Sequence, residues 1–258
     1  MKLTGVARFM THRILASSFF VSISITLAAD NDPIPKPSDP ISNLTPEMRG
    51  DILMARKEYR DAIEVYQQGP KDSAILLNKT GIAYHQLTDT NTARKYYERA
   101  VKFNPEYSEA VNNLGTAYYA GKRYQKAISQ YLKALQLNPN SASVYSNLGT
   151  AYFARKKYDQ ALQAYQKALQ LDPEVFEHRS SGGVLLQERT VTERAKFHYY
   201  LAKTYAKAGA HERALGYIRK ALEEGFKEKN KFMEDPEFTL MWELPEFKHL
   251  MTMETRVL

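Results

Sequence analysis

The sequence predicts an all-α solenoid, a stack of antiparallel helix pairs, and three observations lead there. The first is a period. The stretches GIAYHQLTDTNTARKYYERAVKFNP, GTAYYAGKRYQKAISQYLKALQLNP and GTAYFARKKYDQALQAYQKALQLDP open at Gly81, Gly115 and Gly149, two intervals of 34 residues. Behind each glycine the same marks return: Tyr84, Tyr118 and Tyr152; Ala93, Ala127 and Ala161; Tyr97, Tyr131 and Tyr165; Pro105, Pro139 and Pro173. The second is helical spacing within the period. Val111, Leu114, Gly115 and Tyr118 lie at i, i+3, i+4 and i+7, and Ala127, Ile128, Tyr131, Ala134 and Leu135 follow the same rule, so each unit holds two helices with one apolar face apiece. The third is composition. Of 258 residues 43% are hydrophobic and 12% aromatic, enough for a continuous core, while the absence of cysteine excludes a disulfide framework, a Cys-based zinc site and a thiol nucleophile.

Residues 1–29 read as an export signal: Lys2, Arg8 and Arg13 precede sixteen uncharged residues, Ile14 to Ala29, and Asp30 follows at once. The apolar run is shorter than a membrane-spanning helix wants and carries Ser17, Ser18, Ser22, Ser24 and Thr26. Cleavage is expected after Ala29. The alternative is an uncleaved N-terminal anchor, because Leu27 stands where a smaller residue is usual. Residues 30–46 hold five prolines in seventeen positions and form an extended linker, since each ring fixes φ and removes a donor.

Repeat-like units are expected over about 43–73, 74–107, 108–141, 142–175 and 195–228. Small residues such as Gly115 and Ala127 let paired helices approach closely, the tyrosines fill the space between pairs, and Pro139 stops the second helix. The first unit, marked by Gly50, Ala62 and Tyr66, ends early near Gly69 and Pro70. The last, marked by Leu201, Ala202, Tyr205, Ala214 and Ala221, is offset from Gly149 by 53 residues, which is one period and an insertion of 19, residues 176–194. Ser180, Ser181, Gly182 and Gly183 break the helical period there, so a loop is expected, with or without a short hairpin. Residues 229–258 repeat a smaller device, Pro236-Glu237-Phe238 and Pro245-Glu246-Phe247, which suits short helices capping the last exposed face, with Met241 and Trp242 packed beneath.

Together these marks resemble the tetratricopeptide repeat (TPR) family, exported bacterial type. The resemblance implies a TPR α-solenoid, a right-handed superhelix with an N-terminal signal segment and a C-terminal helical cap. It also implies that the outward face of each first helix lines a concave groove for peptides. That face carries Asn112, Asn113, Thr116 and Tyr119 in one unit, Ser146, Asn147, Thr150 and Phe153 in the next, and Lys196, Tyr199 and Lys203 in the last. Asn112, Asn113 and Asn147 suit a peptide bond's donor and acceptor, with Tyr119 and Phe153 as apolar platforms. The alternative is that these amides support neighbouring turns. The basic end at Lys196 and Lys203 suits an acidic segment or a terminal carboxylate. Some family members clamp such a carboxylate, and Asn113, Asn147 and Lys196 match parts of that set. Tyr200 stands where an arginine belongs and Thr116 where an asparagine does, so the clamp is incomplete.

No catalytic constellation is visible. The six histidines are scattered, and there is no Gly-rich phosphate loop, GxSxG or HExxH. Neither enzymatic activity nor a cofactor or metal is expected. The formal charge of +7 falls to +4 without Lys2, Arg8 and Arg13, too little for a nucleic-acid partner. The expected role is a non-catalytic scaffold in the cell envelope that holds a protein or peptide in its groove, exported to the periplasm or beyond, or associated with a membrane if the leader stays. Two rival functions remain: a chaperone-like binder of unfolded segments, and an accessory subunit of an envelope enzyme that contacts saccharide through Tyr119, Phe153 and Tyr199.

Overall fold

The computed structural model describes residues 43–177 and 190–253. The leader, most of the linker, twelve residues of the insertion and the last five of the cap lie outside the described residues. Among the described residues the regular elements are all helical. They form five pairs: α1 (Pro46–Ala55) with α2 (Tyr59–Tyr66), α3 (Ala74–Gln86) with α4 (Thr90–Phe103), α5 (Ser108–Ala120) with α6 (Tyr124–Leu137), α7 (Ala142–Ala154) with α8 (Tyr158–Leu171), and α9 (Val191–Lys207) with α10 (His211–Glu223). The cap consists of α11 (Lys231–Glu234), a 3-10 turn (Pro236–Met241) and α12 (Pro245–Thr252).

Local chemistry sets the ends. Thr45 Oγ1 accepts from the Met48 N–H with Pro46 in the first turn, and Ser73 and Asp89 cap α3 and α4 through Leu76 and Thr92. Helices α4, α6 and α8 stop at Asn104, Asn138 and Asp172. Each side chain accepts the backbone N–H two residues on (3.1, 3.4 and 2.9 Å), while the proline between them cannot donate. Two boundaries differ from the sequence expectation. Pro46 belongs to α1 and not to the linker. Helix α9 begins at Val191, inside the stretch read as insertion, because Thr190 and Glu193 form a reciprocal capping box that starts the helix a turn early.

Packing within pairs follows one rule. A Cβ added at Gly50, Gly81, Gly115 or Gly149 would stand 2.1–2.6 Å from the ring of the tyrosine sixteen residues later, Tyr66, Tyr97, Tyr131 or Tyr165. Glycine is what lets the ring lie against the first helix. In the fifth pair the same positions are Ala202 and Ile218, both 0% exposed, so a larger residue on one helix meets a smaller one on the other. Between pairs, Tyr118 packs against the apolar clusters on both sides of it, and Tyr152 does the same one pair later. Successive first helices touch, α3 with α5 and α5 with α7, with no contact of comparable extent between α4 and α6 or α6 and α8. The first helices therefore form the inner face. At the C-terminal end, Phe232, Phe238, Met241, Phe247 and Leu250 join the core of the fifth pair, and the Trp242 indole N–H donates to the Phe232 carbonyl at 3.1 Å.

Candidate functional site: the inner face of the first helices

The inner face has a hydrogen-bonded floor. Asn113 Nδ2 donates to Asn78 Oδ1 at 3.0 Å, and Asn147 Nδ2 donates to Asn112 Oδ1 at 3.1 Å; each bond reaches back 35 residues, from one pair to the pair before. Lys79 Nζ makes the corresponding step from α3 to Glu47 on α1, at 2.8 Å. Asn112 Nδ2 to Asn113 Oδ1 (3.4 Å) joins the two amide rungs, and Asn78 Nδ2 continues to Glu109 Oε1 (3.0 Å) and the Tyr107 hydroxyl (3.3 Å). The amides expected to grip a peptide are thus spent largely on one another. Asn147 is 0% exposed and Asn112 is 7% exposed. An unpaired amide at such depth is costly, so the ladder is what permits four asparagines across three helices.

The threonines behave alike. Thr116 Oγ1 accepts from the Tyr131 hydroxyl and Thr150 Oγ1 from the Tyr165 hydroxyl, both at 3.3 Å, while Thr150 donates to the Ser146 carbonyl at 3.0 Å. Burial pushes the Tyr131 phenol well above its ordinary value, so it stays a donor. Asp51 takes the same place under Tyr66, at 2.7 Å.

Of the two rings expected as platforms, Tyr119 stays half-buried and Phe153 is covered, as is Tyr199, the third ring expected to meet a guest. Phe153 packs edge-on against Phe197 at 5.5 Å and against Tyr158 at 5.4 Å, because the fifth pair covers it. Tyr199 stacks on Phe226 at 4.6 Å, and its hydroxyl donates to Asp235; burial first, and then the carboxylate, hold this phenol far above its usual range. Lys203 Nζ bridges Asp235 (3.1 Å) and Glu237 (3.2 Å). The acidic segment that suits this basic end is the chain's own cap. Lys196 lies over the Tyr158 ring, 4.3 Å from its centroid.

Of the residues picked out from the sequence, Asn113, Thr116, Tyr119, Ser146, Lys196 and Lys203 stay half-buried; Asn112, Asn147, Thr150, Phe153 and Tyr199 are buried. Glu109 and Ser143 are exposed on the same face. Asn78 and Lys79, which extend the ladder toward the N-terminus, were missed. Asn78 stands one period of 34 residues before Asn112 and was detectable on that ground. Among the described residues no group of three or more His, Asp or Glu is placed to hold a metal ion, and no helix is long and apolar enough to cross a membrane.

Comparisons with known proteins agree on the repeat. Residues 76–107 and 142–175 match family profiles described as tetratricopeptide repeat, and residues 115–154 match one described as TPR repeat. No curated protein matches the chain. Similar solved structures include MamA (24% identity, covering 69% of this chain and 95% of that one, TM-score 0.48). A second is MamA, residue 41 to the end, from Desulfovibrio magneticus RS-1 (21% identity, 69% and 92% coverage, TM-score 0.49). A third is the first TPR domain of Spaghetti (RPAP3) bound to the HSP90 peptide SRMEEVD (28% identity, 42% and 86% coverage, TM-score 0.40). At these TM-scores the likenesses say nothing about what this chain binds.

Proposed function

The chain is a tetratricopeptide repeat protein, and from that premise we propose that it is a non-catalytic scaffold holding an extended polypeptide along α3, α5 and α7 in the cell envelope. The observation that carries this reading is the ladder of Asn78, Asn113, Asn112 and Asn147. It fixes three helices in register, so the inner wall needs no reordering when a guest arrives. On that wall Glu109 and its equivalent one period later, Ser143, are exposed, and Asn113 and Tyr119 are half-buried; these side chains are polar or aromatic. Such spacing suits a guest with a repeating backbone better than a compact small molecule. Asp235 and Glu237 occupy the α9 end, so the guest lies toward the N-terminal pairs. Export is supported by the basic start and uncharged run of residues 1–29, whether the leader is removed or kept as an anchor.

Affinity capture from envelope extracts tests the role. A discrete polypeptide held by the wild-type chain and by Ser129→Trp on the outer surface, and lost with Tyr119→Ala or Ser143→Trp, is the expected result. A broad set of clients retained equally by all four proteins contradicts it. Fractionation tests the location: recovery in the cytosol with the leader intact contradicts export.

A further inference from the structure

Between Val111 and Leu171 the sequence carries eight Lys and Arg against a single acid, Asp159. Six of the eight, Lys122, Arg123, Lys126, Arg155, Lys156 and Lys157, sit in the α5–α6 and α7–α8 turns or the first turn of α6, and all six are exposed. None takes part in an ion pair among the described residues. Lys126 Nζ lies 5.6 Å from the centroid of the Tyr118 ring.

This arrangement works against the fold. Lys122 and Lys156 hold left-handed backbone, φ 57° and 59°, where the fifth pair uses Gly209 at φ 76°. The cations stand at the starts of α6 and α8, the positive ends of the helix dipoles; α6 has no acid in its first turn and α8 has Asp159 alone. They also repel each other. Neither packing nor local electrostatics accounts for six cations at this edge.

We infer that the edge formed by the α5–α6 and α7–α8 turns docks an acidic polypeptide segment, carried by the guest where it leaves the inner wall. The inference rests on the proposed groove. Tyr119 connects the two surfaces: it lies on the inner face in the last turn of α5, and its ring is 5.2 Å from that of Tyr124, the residue after Arg123. Because α5 and α7 touch, the two turns are on the order of 10 Å apart. An extended chain covers that distance in about three residues. Acids at that spacing meet Lys122 and Arg123 first and the Arg155–Lys157 run next. The guanidinium forks of Arg123 and Arg155 take carboxylates at two points. A lipid surface is a poorer fit, since none of the large exposed apolar side chains belongs to these turns.

Fluorescence anisotropy with labelled octaglutamate and the full 258-residue chain tests the inference. Binding is expected, weakening steeply between about 0.05 and about 0.5 M salt. Arg155→Gln/Lys156→Gln/Lys157→Gln and Lys122→Gln/Arg123→Gln are each expected to weaken it on the order of ten-fold without lowering the melting temperature. Ser143→Trp is expected to leave it unchanged, so a failed groove shows itself separately, as lost capture of the guest with octaglutamate still bound. No binding, binding by both glutamine variants as tight as by the wild-type chain, or tighter binding of phosphatidylglycerol vesicles or a single-stranded oligonucleotide overturns it.

Discussion

A tyrosine ring lies directly over a glycine in four of the pairs, leaving no room for a Cβ there. Gly115→Ala forces the Tyr131 ring to move, a cost of about 1–3 kcal/mol read as a lower melting temperature. Adding Tyr131→Ile is expected to recover part of it, as Ala202 and Ile218 already coexist in the fifth pair. An unchanged melting temperature for Gly115→Ala contradicts this packing rule. At Thr88, a β-branched residue holds φ 63°. Thr88→Gly is expected to stabilise by roughly 0.5–1 kcal/mol in denaturant unfolding, the left-handed penalty exceeding the added freedom of the unfolded chain. Burial also sets a pH response. It pushes the His85 imidazole below its ordinary value of 6.5, so the neutral form is favoured in the fold. Unfolding then takes up a proton once the pH falls below about 6.5, and stability is lost from there down through the lower folded value. Burial lowers His198 in the same direction, against the raising effect of Glu224. His85→Gln is expected to flatten the decline in denaturation midpoint between about pH 7 and 5.5, leaving the share due to His198; an unaltered slope contradicts the assignment.

At the scale of helices, the cap completes the core of the fifth pair. Phe238 is 0% exposed within the core of the fifth pair, so Phe238→Ala is expected to cost about 3–5 kcal/mol and to free the end of α9. Loss of near-ultraviolet dichroism from that cluster, with the earlier pairs still protected from hydrogen exchange, checks this; uniform loss of protection contradicts it. The helix pairs were legible because glycine, tyrosine, alanine and proline recur at fixed offsets and each has a steric reason to do so. The start of α9 was less legible, because an inserted stretch hides the period and the Thr190–Glu193 box acts over only three residues. The groove was the least legible part. An asparagine on an inner face looks the same in sequence whether its amide meets a guest or the next repeat 35 residues away. Phe153 and Tyr199 were read as open because their covers, α9 and the cap, reach them only through tertiary packing.

At the scale of the whole molecule, the proposed reading gives the work to two surfaces: an inner wall braced by its own amides, and an edge at the third and fourth pairs where six cations stand without ion pairs among the described residues. On that reading the first would give a guest a fixed shape, and the second would add a salt-sensitive contact beyond the groove. The measurement that bears most directly on this account is crosslinking in intact cells from a photoreactive side chain placed singly at Glu109, Ser143, Ser129 or Gln163. Glu109 and Ser143 stand on the first helices and Ser129 and Gln163 on the second, all exposed. Adducts to one polypeptide from Glu109 and Ser143, with none from Ser129 and Gln163, are predicted. Equal yields at the four positions, or adducts from the second helices alone, contradict the inner wall as the place where the guest lies.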